Sequence, residues 1–152
     1  MSDRSALQLY VYAMPEEDRA AVQRGIDDNC LEPYDDSGNG IVLGVRYLTE
    51  EVPVGSAYDL AVHLLSKAPG TAFELWQDPV LPHAGHYVVR LPGIGTYEGA
   101  CDSYGFPVVR LTEVLDSLAM EPDSASLFPE GHLAQHAPLF TALRIARAMR
   151  RP

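Results

Sequence analysis

A chain of 152 residues, 47% of them apolar, is long enough to bury one hydrophobic core without metal or disulfide support. Its formal net charge of −10 disfavours direct nucleic-acid binding over most of the surface and favours a basic protein partner or another copy's basic end. Cys30 and Cys101 stand apart without CxxC spacing, and the opening MSDRSALQLYVYAMPEED fits neither a secretory leader nor a membrane span, so the expectation is a cytoplasmic protein with reduced thiols and no cofactor.

Leu7 to Met14 alternates, with Leu7, Leu9, Val11 and Ala13 on one face and Gln8, Tyr10, Tyr12 and Met14 on the other, which predicts a strand. Pro15 suits a first helical position, and Glu16, Glu17 and Asp18 suit the positive end of a helix dipole. The helix should run to about Asp28, turning Ala21, Val22, Gly25 and Ile26 inward and an acidic side outward. LEPYDDSGNG, Leu31 to Gly40, reads as a loop. Ile41 to Leu48 is apolar on both faces apart from Arg46, predicting a central strand; a helix crossing from the first strand would make a βαβ unit if the two ran parallel.

Ser56 and Asp59 have capping-box spacing, and Ala57, Leu60, Ala61, Leu64, Leu65 and Ala68 recur at helical spacing until Pro69-Gly70 stops them. From Phe73 to Leu111 come four short strand-like runs, FELW, HYVVRL, GTYEGACD and FPVVRL, whose short loops favour antiparallel pairing. Thr112 can cap a helix carrying Val114, Leu115, Leu118 and Ala119, ended by Pro122. Pro138 opens a last helix with Leu139, Leu143 and Ala146 on one stripe and Arg144, Arg147, Arg150 and Arg151 towards its end. The expected fold class is α+β: one domain with a mixed or largely antiparallel sheet ordered β-α-β-α-β-β-β, followed by C-terminal helices, with residues 1–6 and 150–152 as flexible ends.

No catalytic motif fits. DDSGNG resembles the start of a calcium loop, but Arg46 stands where a bidentate Glu is needed. GIGTYEG has its third glycine one place late for a dinucleotide turn and continues as a strand. In GTYEGACD, parity turns Tyr97 and Cys101 towards the core and Glu98 and Asp102 towards water, about 13 Å apart. His83 with His86, and His132 with His136, have spacings that could hold zinc, so a small enzyme or metal-binding protein using the His83/His86 loop with Asp78, Glu98 and Asp102 is the alternative function. The leading expectation is a small regulatory interaction protein. It would present Glu16, Glu17, Asp27, Asp28, Glu32, Asp35 and Asp36 to a basic partner, with Tyr10 and Tyr12 as aromatic anchors unless a helix covers them. An inhibitor imitating DNA locally is a special case, and self-association of the basic end with the acidic helix would give a homo-oligomer.

Overall fold

The computed structural model of the chain describes residues 3–35, 38–119 and 136–151. Arg4–Ala13 forms β1, whose alternation feeds two cores at once. Leu7, Leu9 and Val11 lie in one apolar cluster, and Tyr10 and Tyr12 lie in another on the opposite face. The other strands are β2 (Glu32–Pro33), β3 (Arg46–Pro53), β4 (Ala72–Gln77), β5 (Gly85–Leu91), β6 (Gly95–Cys101) and β7 (Pro107–Val108). They form one sheet in the order β2-β3-β1-β4-β5-β6-β7, with every neighbouring pair antiparallel. With helices α1 (Arg19–Asp28), α2 (Ser56–Lys67), α3 (Leu111–Ala119) and α4 (Ala137–Arg147), this is a single α+β domain.

A 3-10 turn at Glu16–Asp18 leads into α1, which buries Val22, Gly25 and Ile26 against Leu60 and Leu64 of α2 and the Leu7, Leu9, Phe73 and Leu75 face of the sheet. The opposite face carries Trp76, Tyr87, Val89 and Leu91, and α4 covers it with Leu139 and Leu143. The basic helix therefore docks on its own chain, through the apolar stripe that its spacing implies. No helix among the described residues is long and apolar enough to cross a membrane.

Several boundaries differ from the sequence reading. The second long strand lies at Arg46–Pro53 and not at Ile41–Leu48, because Gly40 and Gly44 take positive φ (104° and 77°) and break the extended run. Ile41 and Val42 are apolar because they pack on the core as a loop. Strand β3 is paired antiparallel to β1 and to only two residues of β2, so it is not central and no βαβ unit forms. Within the stretch read as loop, Glu32 and Pro33 pair with Leu48 and Tyr47.

The capping box at Ser56 does not form. Gly55 is the N-cap of α2, and the Ser56 hydroxyl donates to the Pro53 carbonyl at 2.7 Å. Gln77, buried in β4, accepts instead from the amides of Gly55 and Ala57 at 3.2 and 3.3 Å. Among the described residues near the ends, Arg4 pairs with Pro53, and the Arg151 amide donates to the Gly44 carbonyl at 2.9 Å. Asp36, Ser37, His132 and the Ser- and Pro-rich loop lie outside the described residues.

Candidate functional site

The most concentrated polar chemistry lies under α4. Glu74 sits in the middle of β4, its parity placing it between Tyr10 of β1 and Val89 of β5, on the face α4 covers. It is fully buried, and a buried carboxylate is stable only when its lone pairs are taken up. Tyr12 donates to it at 2.6 Å and Tyr87 at 2.8 Å. Arg147 donates through Nε at 3.1 Å and also through Nη2, while Arg150 donates through Nη2 at 2.8 Å. Arg150 Nε reaches the Tyr12 hydroxyl at 2.9 Å, closing the network.

Burial would raise the Glu74 carboxyl, but the Arg147 hydrogen bonds and the Arg150 and Arg147 charges outweigh it and hold it below the usual range. Burial, reinforced by the Glu74 charge, pushes the Tyr12 and Tyr87 phenols up, so both remain donors. Every acceptor position is occupied from within the chain. This arrangement anchors α4.

The expected partner-binding residues separate into two groups. Glu16, Glu17, Asp27, Asp28, Glu32 and Asp35 are exposed along α1 and the β2 edge. Glu16 pairs with Arg19 at 2.9 Å on the surface, and Asp27 accepts from Gln23 at 2.8 Å without losing its charge. Asp18 departs from the acidic outer side, being buried and accepting from the Gly70 amide at 2.8 Å and the Thr71 hydroxyl at 2.9 Å. Tyr10 and Tyr12 are buried in the aromatic layer with Trp76, so they are not surface anchors while α4 is docked.

No family model, curated protein or solved structure matches the chain. Beside α1, the edge of the sheet forms an open cleft of about 540 Å³ lined by Cys30, Glu32, Pro33, Leu48, Thr49 and Glu50, among others. Because β2 pairs only with Tyr47 and Leu48, the outer edge of β3 from Thr49 to Pro53 has no strand neighbour among the described residues.

Of the alternative site, Asp78, His83 and His86 line one cleft of about 230 Å³. His86 contacts Glu98 at 2.7 Å across β5 and β6, while its ring stacks against Tyr58 with centroids 6.2 Å apart. His83 contacts Asp3 at 3.2 Å instead, and Asp102 accepts from the amides of Tyr104 and Phe106, both at 2.9 Å, inside its own turn. His136 lies edge-on to Tyr97 at 5.2 Å, far along the chain from the His83 loop. Among the described residues, no group of three His, Cys, Asp or Glu converges to hold a metal ion. Cys101 is buried as parity implied, its thiol pushed up to about 12 by burial and by the charges of Asp102 and Asp78, which makes it an inert thiol.

Sequence reasoning missed Glu74 as the organising carboxylate and Glu50 and Glu51 as part of the acidic edge. A glutamate between two apolar residues in a strand apolar on both faces is the signal for the first. Placing the second strand too early hid the others.

Proposed function

We infer that the chain is a small acidic regulatory protein of the cytoplasm that binds a basic segment of a protein partner along the outer side of α1 and the neighbouring edge of β3. One observation carries this reading. Arg147 and Arg150 are engaged with Glu74 on the other face of the sheet, so the acidic side receives no counter-charge from them and has only Arg19 and Arg24 of α1 itself. The placement of Asp27 and Asp28 supports it further. They occupy the last turn of α1, which carries no basic residue, although acids there oppose the helix dipole at about 0.3–1 kcal/mol each. An edge with no strand neighbour among the described residues, flanked by Glu32, Glu50 and Glu51, suits an extended, positively charged segment, which would gain main-chain hydrogen bonds as well as charge pairing.

Calorimetric titration with an arginine- and lysine-rich peptide tests the reading. Binding should weaken steeply between about 50 and 200 mM salt as screening grows. It should fall by about tenfold or more when Glu16→Gln, Glu17→Gln, Asp27→Asn and Asp28→Asn are combined, since each lost charge removes a steering and pairing term. Salt-independent binding, or an unaffected fourfold variant, would count against it. The His86–Glu98 contact supports a second reading as a small ligand-binding or catalytic protein, which stoichiometric zinc in the purified chain would favour.

A further inference from the structure

A second site, of opposite charge, lies where the start of β3 meets the end of the chain. A cleft of about 220 Å³ is lined there by Tyr10, Tyr34, Asp35, Val45, Arg46 and Arg151. Arg46 opens β3 directly across from Tyr10, and its guanidinium lies over the Tyr34 ring at 4.2 Å, which fixes its plane. The Arg46 Nε is buried and has no hydrogen-bond partner. A buried N–H left in that state is costly, more so on a charged group, and an anion within reach relieves the cost. None of the ion pairs among the described residues uses Arg46 or Arg151.

Arg150 stands beside the cleft, its guanidinium 4.1 Å from the Tyr10 ring centroid, and adds positive potential although Glu74 and Tyr12 accept its hydrogen bonds. Three arginines gathered in one place on a chain with net charge −10 run against the average field of the molecule.

The backbone holds this arrangement in place. The Arg151 amide donates to the Gly44 carbonyl, and Gly44, at φ +77°, allows the tail to pass so closely that a Cβ there would lie 2.5 Å from the Met149 carbonyl oxygen. The tail that carries Arg151 is thus set against the loop that delivers Arg46.

We propose that this cleft binds a small oxyanion-bearing molecule, with a phosphate or carboxylate group held by the guanidinium groups of Arg46 and Arg151. A guanidinium fork matches both groups in bidentate geometry, and the volume suits a ligand smaller than a dinucleotide. Asp35 places a carboxylate on the same wall and opposes the anion, which sets the sign of one variant. Tyr34 and Asp35 border the acidic edge as well, whereas Arg46 and Arg151 do not, so the arginine variants test this proposal apart from that reading.

The full-length protein is titrated with inorganic phosphate and, separately, with citrate, while sodium chloride keeps the ionic strength constant. The Arg46 Nε–H resonance and the backbone amides of residues 44–46 and 151 are followed by NMR. A saturable shift is expected with at least one anion, and the stronger of the two identifies the phosphate or the carboxylate source. Arg46→Gln and Arg151→Gln should each weaken binding by about tenfold or more, and Asp35→Asn should tighten it. Should Arg46→Gln fail to fold, Arg151→Gln at the exposed chain end gives the same comparison. Absence of a saturable shift with either anion, or wild-type affinity in the folded arginine variants, would overturn the proposal.

Discussion

Glu74→Ala is expected to destabilise the fold by about 3–5 kcal/mol, the cost of leaving a buried ion pair without one partner. The carboxylate is fully buried, while the side chains of Arg147 and Arg150 are 25% and 27% exposed. Water can therefore recover part of what the arginines lose, which places the loss nearer the lower bound. Tyr12 and Tyr87 would lose their acceptor as well. Denaturant unfolding followed by tryptophan fluorescence gives the number, since the only tryptophan, Trp76, lies in the same layer. A loss below about 1 kcal/mol, the size of an exposed pair, would mean that α4 is held by its apolar stripe alone.

Glu74 also sets a pH dependence. Its folded carboxyl is held below the ordinary value of 4.5, so its contribution is fully present above that value and is lost as the pH falls through the depressed one. Wild-type stability should decline on acidification below pH 4.5 more steeply than that of Glu74→Gln, which has no carboxyl to protonate there.

Gln77→Ala should cost about 2–3 kcal/mol, whereas Ser56→Ala should cost no more than about 0.5 kcal/mol. Gln77 is 3% exposed; its Oε1 accepts from the Gly55 and Ala57 amides and its Nε2 donates to the Pro53 carbonyl at 2.9 Å. Truncation leaves the first turn of α2 and the end of β3 short of three partners at once. The Ser56 hydroxyl makes one exposed bond that water can replace. A working capping box at Ser56 would reverse the order, with Ser56→Ala costing about 1 kcal/mol. Paired unfolding curves of the two variants separate these outcomes.

That contrast also shows why part of the architecture was legible in the sequence and part was not. Strand parity depends only on neighbouring residues, so Cys101 fell on the face that Gly95–Cys101 places it on. Helical spacing likewise located Leu60 and Leu64, and Leu139 and Leu143, as inward stripes. A cap delivered from a strand twenty-two residues away has no local signature, and Ser56 stood where a local one would be. The run Ile41 to Val45 misled because an apolar loop over a core and an apolar strand have the same composition; the glycines at 40 and 44 were the discriminating feature.

For the candidate site, exposure of the acids on α1 follows from amphipathicity. The destination of the C-terminal arginines does not, because Glu74 and Arg147 lie far apart in sequence and neither has a local partner that marks it. The acidic edge at Glu50 and Glu51 depended on the correct strand boundary. The cleft at Arg46 and Arg151 is assembled from the start of β3 and the far end of the chain, which local periodicity cannot bring together.

The central claim is that the acidic side of α1 and the β3 edge receive a basic segment while α4 stays clamped on Glu74. Backbone amide shifts recorded during titration with the arginine- and lysine-rich peptide test it most directly. The predicted result is saturable change at Glu16, Glu17, Asp27 to Glu32 and Thr49 to Glu51, with Glu74, Tyr87 and Arg147 unmoved. Changes confined to His83–His86, or release of Arg147 from Glu74 on binding, would contradict it.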